Sequence, residues 1–562
     1  MILNHDEKRK GGNQRPGMDD LPVANEEEVP NESARELANQ EEVSKDPFSR
    51  LLFIVGSIIL ILSLMTGATL LTLVLSGAKR TSDSPRERPY HRPPPEQQPP
   101  STKQIKPPNV LIIMADDLGY GDVGFNGSRD IPTPHMDSIA QHGVKFTNGY
   151  VSFPVCGPSR AGFITGRYQY RFGFATNPSH DPNDLAGLAL EEETIAEALK
   201  RGSDEDGQTR AASYRTAIIG KWHLGVAENF HPLNRGFDYF YGFLEGGRKY
   251  LPEDLTLDNF TQVSGCFDWY KMKIRENWLP VNTKKYLTDE LTDAAVDFIT
   301  QHAQGRPSQN FMLFLSYNAP HAPYQAPAQY EKRFSHIANK KRKTYAAMVS
   351  AMDDGIGKVL QSLRDTNLED DTLVVFLSDN GGKKPADNSP FRGTKGSLWE
   401  GGLHVPFAMK WPAGLPSNLV YTNPVISLDI MATILALNEI EPRHPLDGVN
   451  LVPYLTGIQK GKPHEYLFWG KGMFPDEGAV LHNGLKAMFL NGAEVEGAAL
   501  PGQWHSYSML YNLTQNKNEA KDLQTELNET FQSLKNAWNM QWRNEMKGSS
   551  FPSLRDNNNN CI

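Results

Sequence analysis

Four short apolar runs constrain this chain more than anything else in it. Each has the length of a buried strand, and each breaks off into side chains capable of chemistry. Val110 to Met114 leads into Asp116-Asp117, Ala217 to Ile219 into Lys221 and His223, Met312 to Leu315 toward His321, and Leu373 to Leu377 into Asp379-Asn380. Unalternated runs of this kind read as strands buried on both faces. Between them Tyr345, Met348, Met352, Ile356, Val359, Leu360 and Leu363 recur at helical spacing, as do Leu287, Leu291, Ala295, Phe298 and Ile299. These are core positions of amphipathic helices and carry no functional role. Alternating buried strands and helices predict an α/β domain. In an open parallel sheet the carboxyl ends of the strands share one edge, so the four runs would feed a single site.

The side chains delivered there are selective. Asp116, Asp117, Asp379 and the amide of Asn380 offer oxygen ligands only, which suits calcium or magnesium, whereas zinc would call for histidine or thiolate. One Asp-Asp pair after a strand reads equally well as a helix cap or a turn. Two such pairs, both at strand ends and both followed by glycine, favour a metal. Isolated histidines are usually structural, and His135, His142 and His231 are assigned no chemistry.

Residues 1–50 are polar and charged, too poor in apolar side chains to offset chain entropy, and are expected to be a disordered tail. Residues 51–78 hold no charged residue and exceed the roughly 20 residues that cross a bilayer, which favours a transmembrane signal anchor over a signal peptide cleaved after Ser76-Gly77-Ala78, with cleavage left open. Lys79, Arg80, Arg86, Arg88 and Arg92 outnumber Lys45 and Arg50 across this segment, so the positive-inside rule points against export. That signal is set below the chemistry of the strand ends, and the domain that follows is expected on the extracytoplasmic side. Residues 79–107 form a proline-rich linker, extended by Pro93-Pro94-Pro95 and Pro99-Pro100. A catalytic domain over 108–440 is expected to be followed by a smaller unit over 441–546, closing in a helix from Glu519 to about Met546, and by a polar tail over 547–562. A net charge of -9 leaves no basic footprint for nucleic acid. With only Cys156, Cys266 and Cys561 there is no disulfide framework, and whether Cys266 and Cys561 pair is left open.

The segment Pro154-Val155-Cys156-Gly157-Pro158-Ser159-Arg160, running on to Thr165-Gly166-Arg167, resembles the maturation signature of the type I sulfatase family of the alkaline phosphatase superfamily. In that family the cysteine of C-x-P-S-R is oxidised to formylglycine. The resemblance extends over 107 to about 530, through Asp116-Asp117-Leu118-Gly119-Tyr120-Gly121-Asp122, Gly220-Lys221-Trp222-His223-Leu224-Gly225, Pro320-His321-Ala322-Pro323-Tyr324, Ser378-Asp379-Asn380-Gly381-Gly382 and Arg392-Gly393-Thr394-Lys395-Gly396-Ser397 with Glu400-Gly401-Gly402, in the family's order. Phe163-Ile164 and a polar insertion at 203–212 depart from the family mildly. Leu510-Tyr511-Asn512-Leu513, Glu519 and Asp522-Leu523 resemble its closing motif, from which only architecture is inferred.

The resemblance implies an α/β fold with a large mixed, mostly parallel sheet sandwiched by helices and a smaller C-terminal α+β subdomain. It implies a sulfuric ester hydrolase matured by a formylglycine-generating enzyme. Cys156 would become the aldehyde whose hydrate attacks sulfur and ligates the metal, with Asp116, Asp117, Asp379 and Asn380 completing a shell for one calcium ion. Arg160 and Lys221 would hold the hydrate, His223 would take the proton that lets it collapse, His321 would protonate the departing alcohol, and Lys395 would pair with sulfate oxygens. Fixed cations suit a reaction in which negative charge grows on the sulfuryl and leaving oxygens. The alternatives are a phosphonate or phosphodiester hydrolase of the same superfamily and a non-catalytic sulfated-glycan binder. Pocket-lining loops are expected within 226–280, where Trp269, Tyr270 and Trp278 offer rings either for sugars or for the core.

Overall fold

The computed structural model describes residues 106–180, 185–201, 214–255, 262–263, 266–267, 273–306, 308–471, 477–491 and 506–543. The predicted tail, membrane anchor and all but the last two residues of the linker lie outside them, as do Trp269, Tyr270, Cys561 and the insertion at 203–212. Among the described residues no helix is long and apolar enough to cross a membrane.

The main strands are β1 (Asn109–Ala115), β2 (Val144–Phe146), β3 (Arg215–Lys221), β4 (Tyr239–Phe243), β5 (Ile274–Glu276), β6 (Leu279–Val281), β7 (Phe311–Ser316), β8 (Thr372–Ser378), β9 (Phe407–Lys410) and β10 (Leu419–Tyr421). Among the described residues they form one sheet in the order β10-β2-β9-β8-β1-β7-β3-β4-β5-β6. The central strands β8, β1, β7, β3 and β4 are mutually parallel, and antiparallel pairs appear toward the edges at β8–β9, β9–β2, β4–β5 and β5–β6. Each of the four predicted strand cores lies inside one of these central strands.

All seven residues of β1 are buried, and the side chains part company at the sheet. Leu111, Ile113 and Ala115 enter one apolar layer with Leu313, Leu315, Val374 and Phe376, while Val110, Ile112 and Met114 enter another with Met312, Phe314, Leu373, Val375 and Leu377. That is the period of two of a strand with both faces covered. The first layer is closed by α2 (Leu287–Gly305) and α3 (Lys340–Asp365), whose predicted core residues are all buried in it. The second contains Ala161, Phe163 and Ile164 of α1 (Cys156–Thr165). Burying one such aliphatic side chain contributes roughly 1.5–3 kcal/mol, so truncating Ile113 or Leu313 to Ala would cost about 2–5 kcal/mol.

After the main sheet, β11 (Leu467–Lys471), β12 (Glu477–His482), β13 (Leu485–Asn491) and β14 (Ser506–Asn512) form an antiparallel meander. Trp469, Ala479, Val480, Ala487, Met488 and Leu510 pack with Tyr150, Tyr168, Tyr170, Trp399 and Leu403 of the preceding chain in a third apolar cluster. The closing helix, α4 (Asn528–Ala537), starts nine residues later than the sequence predicts and passes into a wide final turn at Trp538–Arg543. Glu519 is instead fully buried in a left-handed turn, φ 52°, because its carboxylate is drawn inward by a lysine.

Candidate active site

Strand register places the chemistry. Ala115 pairs with Ser378, Met114 with Ser316, and Ser316 with Gly220, so the residues that follow emerge at one level of the carboxyl edge. Asp116 and Asp117 come from β1, Asp379 and Asn380 from β8, Lys221 and His223 from β3, and His321 from the turn after β7. Cys156 is the first residue of α1 and Arg160 stands one turn later on the same helical face. Backbone strain gathers here: Asp117 and His223 have φ of 66° and 62°, a region non-glycine residues enter at a cost.

Every carboxylate has a cation. Lys221 Nζ donates to Asp116 Oδ2 at 2.7 Å, Arg160 grips Asp379 Oδ2 from Nε at 2.9 Å and from its terminal nitrogen at 2.8 Å, and Lys395 Nζ meets Asp117 Oδ1 at 2.6 Å. Asn380 Nδ2 donates to Asp117 Oδ1 at 2.7 Å. Lys395 Nζ also lies 3.6 Å from Cys156 Sγ. His321 and Lys395 are 13 % and 14 % exposed, whereas Asp116, Asp379, Arg160 and Lys221 are at most 1 % exposed. The two groups expected to face a substrate are therefore the two that reach the opening.

Oxygen atoms are left over. Asp116 Oδ1 and Asn380 Oδ1 are buried without a hydrogen-bond partner, and ligand atoms of Asp116, Cys156 and Asp379 lie within 4.8 Å of one another. Burial, with help from Asp379, pushes Asp116 up to about 7 in spite of Lys221. A buried group of oxygen-bearing side chains in which Asp116 Oδ1 and Asn380 Oδ1 lack partners fits a hard divalent cation such as calcium. Asp117 is also driven upward by burial, but Lys395 and His321 outweigh that and hold it well below the carboxylate range.

The two histidines are electrically distinct from each other. His321 Nδ1 faces the Ala322 carbonyl at 2.6 Å and donates to it, leaving Nε2 toward the site; burial takes its pKa down to about 3, against the pull of Asp117. Both ring nitrogens of His223 are unpartnered and buried, and burial and then Lys221 depress its pKa well below the usual value. His223 is stacked at 6.0 Å on His180, which the sequence reading does not single out. Also missed are Ser316, which accepts from Arg160 at 2.6 Å, and Asn177, whose Oδ1 holds the Gly157 N–H at 2.9 Å and stands 3.9 Å from Cys156 Sγ. Ser316 carries one available signal, its place at a strand end; His180 and Asn177 carry none. A Cβ on Gly246 would lie 2.6 Å from His223 Nε2, so the loop after β4 covers that ring closely. Trp278 stacks on His231 at 3.8 Å beside Phe240, at the amino end of β4 and away from this edge.

The family model for sulfatases matches residues 108–440. Human N-acetylgalactosamine-6-sulfatase is 33% identical over 367 residues, covering 62% of this chain and 66% of the human protein, just short of two thirds of that relative's length. Mouse steryl-sulfatase is 32% identical over 439 residues, covering 65% of this chain and 67% of its own. Among solved structures, Ps i-CgsB in complex with k-i-k-neocarrahexaose superposes with a TM-score of 0.69 at 33% identity, covering 80% of this chain and 96% of that one. With the strand-end carboxylates, the cysteine at the head of α1 and a family match over most of the described fold, the chain belongs to the sulfatase family.

Proposed function

We propose that this chain hydrolyses sulfate esters of a carbohydrate, releasing inorganic sulfate. The observation that carries the proposal is the pairing of unsatisfied buried oxygens on Asp116 and Asn380 with Cys156 and Lys395 at the same opening. Cys156, oxidised to formylglycine, would supply a hydrated aldehyde as the nucleophile. Asp116, Asp117, Asp379 and Asn380 would hold calcium, which neutralises the carboxylates and polarises sulfate oxygens.

The chain's own residues then divide the work. Lys395 is the cation at the mouth and pairs with incoming sulfate oxygens, exchanging part of its contact with Asp117. Arg160 and Lys221, locked on Asp379 and Asp116, keep positive charge beside residue 156 without reorganising during reaction. His223, unpartnered and with its pKa depressed by burial, would accept a proton from residue 156. His321 keeps Nδ1–H on the Ala322 carbonyl, so its proton exchange with the leaving oxygen runs through Nε2. An anionic ester beside it raises its pKa from the low value burial imposes, which makes the charged form accessible when substrate is bound.

A carbohydrate substrate is supported by the names of the human relative and of the neocarrahexaose complex. The apolar segment 51–78 supports a membrane anchor; the extracytoplasmic side rests instead on the Cys156 motif, which a formylglycine-generating enzyme would have to meet there. The test is sulfate release from sulfated oligosaccharides and an aryl sulfate by protein from its native host, with mass spectrometry of the peptide spanning Cys156. Sulfate release with residue 156 as formylglycine supports the proposal. An intact thiol with glycan binding and no turnover, or turnover of a phosphonate or phosphodiester ester alone, overturns it.

A further inference from the structure

Away from the strand ends the molecule buries a second set of charges. Lys486, on β13, donates to Glu400 Oε1 at 2.8 Å and to Glu519 Oε1 at 2.9 Å, and all three side chains are at most 1 % exposed. The remaining oxygens are also claimed. Glu400 Oε2 accepts from the Tyr150 hydroxyl at 2.8 Å and from His404 Nδ1 at 3.0 Å, and Glu519 Oε2 accepts from the backbone N–H of Glu400 at 2.8 Å. His404 Nε2 faces the Thr147 carbonyl at 2.9 Å. The left-handed backbone at Glu519 is the strained element of this arrangement, held at a cost on the order of 1 kcal/mol or more.

Glu400 stands at the base of a loop whose other end bears Lys395. The Gly401 N–H donates to the Arg392 carbonyl at 2.7 Å, closing the loop, and a Cβ on Gly401 would come within 2.4 Å of the Gly393 carbonyl oxygen. At the far turn the Lys395 N–H donates to the Gly382 carbonyl at 3.2 Å and the Gly396 N–H to the Pro154 carbonyl at 2.8 Å. The Gly402 carbonyl accepts from Gly381, next to Asn380, at 3.0 Å. The Arg392 guanidinium covers the Trp399 ring at 3.9 Å, and Trp399 packs on Tyr511 of the closing motif at 5.6 Å.

We propose that Lys486 and Glu519 are positioning residues for Lys395: by fixing Glu400 they set where the Lys395 ammonium stands between Asp117 and Cys156, so the C-terminal sheet completes the active site. The claim rests on the sulfate-binding role of Lys395. A buried ion cluster adds little net stability over an apolar one, but each charge tolerates its partner only at hydrogen-bond distance, which gives the loop base one allowed position.

Two measurements on the full chain test this. In Lys486→Met, amide exchange is expected to rise across 392–404 while β1, β7 and β8 keep their protection. Wild-type protection over 392–404, or a rise confined to β11–β14, overturns the proposal. In a double-mutant cycle on an aryl sulfate, Lys486→Met lowers kcat/KM by about 10- to 100-fold in the wild-type background, the scale of a small misplacement of a reacting group. In a Lys395→Ala background it costs less than about 2-fold, because the interaction it supports is already gone. Equal losses in both backgrounds overturn the proposal. Should Lys486→Met not fold, Glu519→Gln, which keeps an acceptor for the Glu400 N–H, replaces it in both measurements. If the wild type releases no sulfate, the sulfatase reading falls, and the exchange comparison still decides the positioning claim.

Discussion

Asp116 and Asp379 are as deeply buried as Glu400 and Glu519, and each pair is served by lysine or arginine at hydrogen-bond distance. The two clusters differ in what is left over. Around Glu400 every carboxylate oxygen has a donor. At the carboxyl edge Asp116 Oδ1, Asn380 Oδ1 and both nitrogens of His223 have none. A buried polar atom without a partner costs about 1–3 kcal/mol, a penalty that a fold sustains where a ligand relieves it. Burial of charge alone therefore does not distinguish these two clusters, whereas the partners left unfilled do. One loop runs between the two clusters, with Glu400 at its base and Lys395 at its far turn.

The sharpest break between the clusters is expected at Cys156, the proposed source of the nucleophile. Cys156→Ala is expected to lower sulfate release by at least about 10⁴-fold, the scale of removing a catalytic nucleophile, with the thermal midpoint unchanged. Retained turnover in a sulfate-release assay would remove Cys156 from the chemistry and leave the two clusters without a functional difference. Next comes the satisfied cluster. Glu400→Gln leaves Lys486 with one carboxylate and should cost about 3–5 kcal/mol in denaturant unfolding, as breaking a buried ion pair does. A loss under about 1 kcal/mol would show that the cluster is not a structural fixture.

Calcium should act on one cluster alone. Saturating calcium, at about 100 times its Kd, is expected to stabilise the wild type by about 2.7 kcal/mol. Asp379→Asn should largely abolish that gain in calorimetry, and Glu400→Gln should preserve it. An equal response in both variants would contradict the assignment of the unsatisfied oxygens to a metal. The smallest effect is expected at Trp278, which is 43% exposed at the far end of β4. Trp278→Ala should leave kcat/KM on any sulfated substrate unchanged and cost about 1 kcal/mol or less for the lost stacking on His231. A substantial loss of activity would restore Trp278 to the substrate path.

Much of the site is legible in the residues because each piece is announced locally. A buried strand is a short apolar run, and the residue after it stands at the sheet edge whatever the rest of the chain does, so Asp116, Lys221 and Asp379 follow from their own segments. The helical cores at Tyr345–Leu363 and Leu287–Ile299 are equally local, because their spacing lays them on one face. The short strands β5, β6, β9 and β10 toward the two sides of the sheet are not legible, since a three- or four-residue strand exists through the neighbour that pairs with it. The late start of α4 has the same origin: Glu519 reads as a solvated helix residue until Lys486, far from it in sequence, is placed beside it.

The amino-acid sequence by itself determined the α/β alternation, the oxygen-bearing side chains at the strand ends, the cysteine within its sulfatase-like motif and the order in which they occur, all properties of contiguous segments. Only the tertiary structure decided which polar atoms find partners. His180 over His223, Ser316 on Arg160, Asn177 beside Cys156 and Lys486 between two glutamates are contacts across the chain, and hydrogen-bond satisfaction is a property of three-dimensional neighbours. Residue type states what a side chain is able to do, and packing determines whether that capacity is spent on the fold or kept for a ligand.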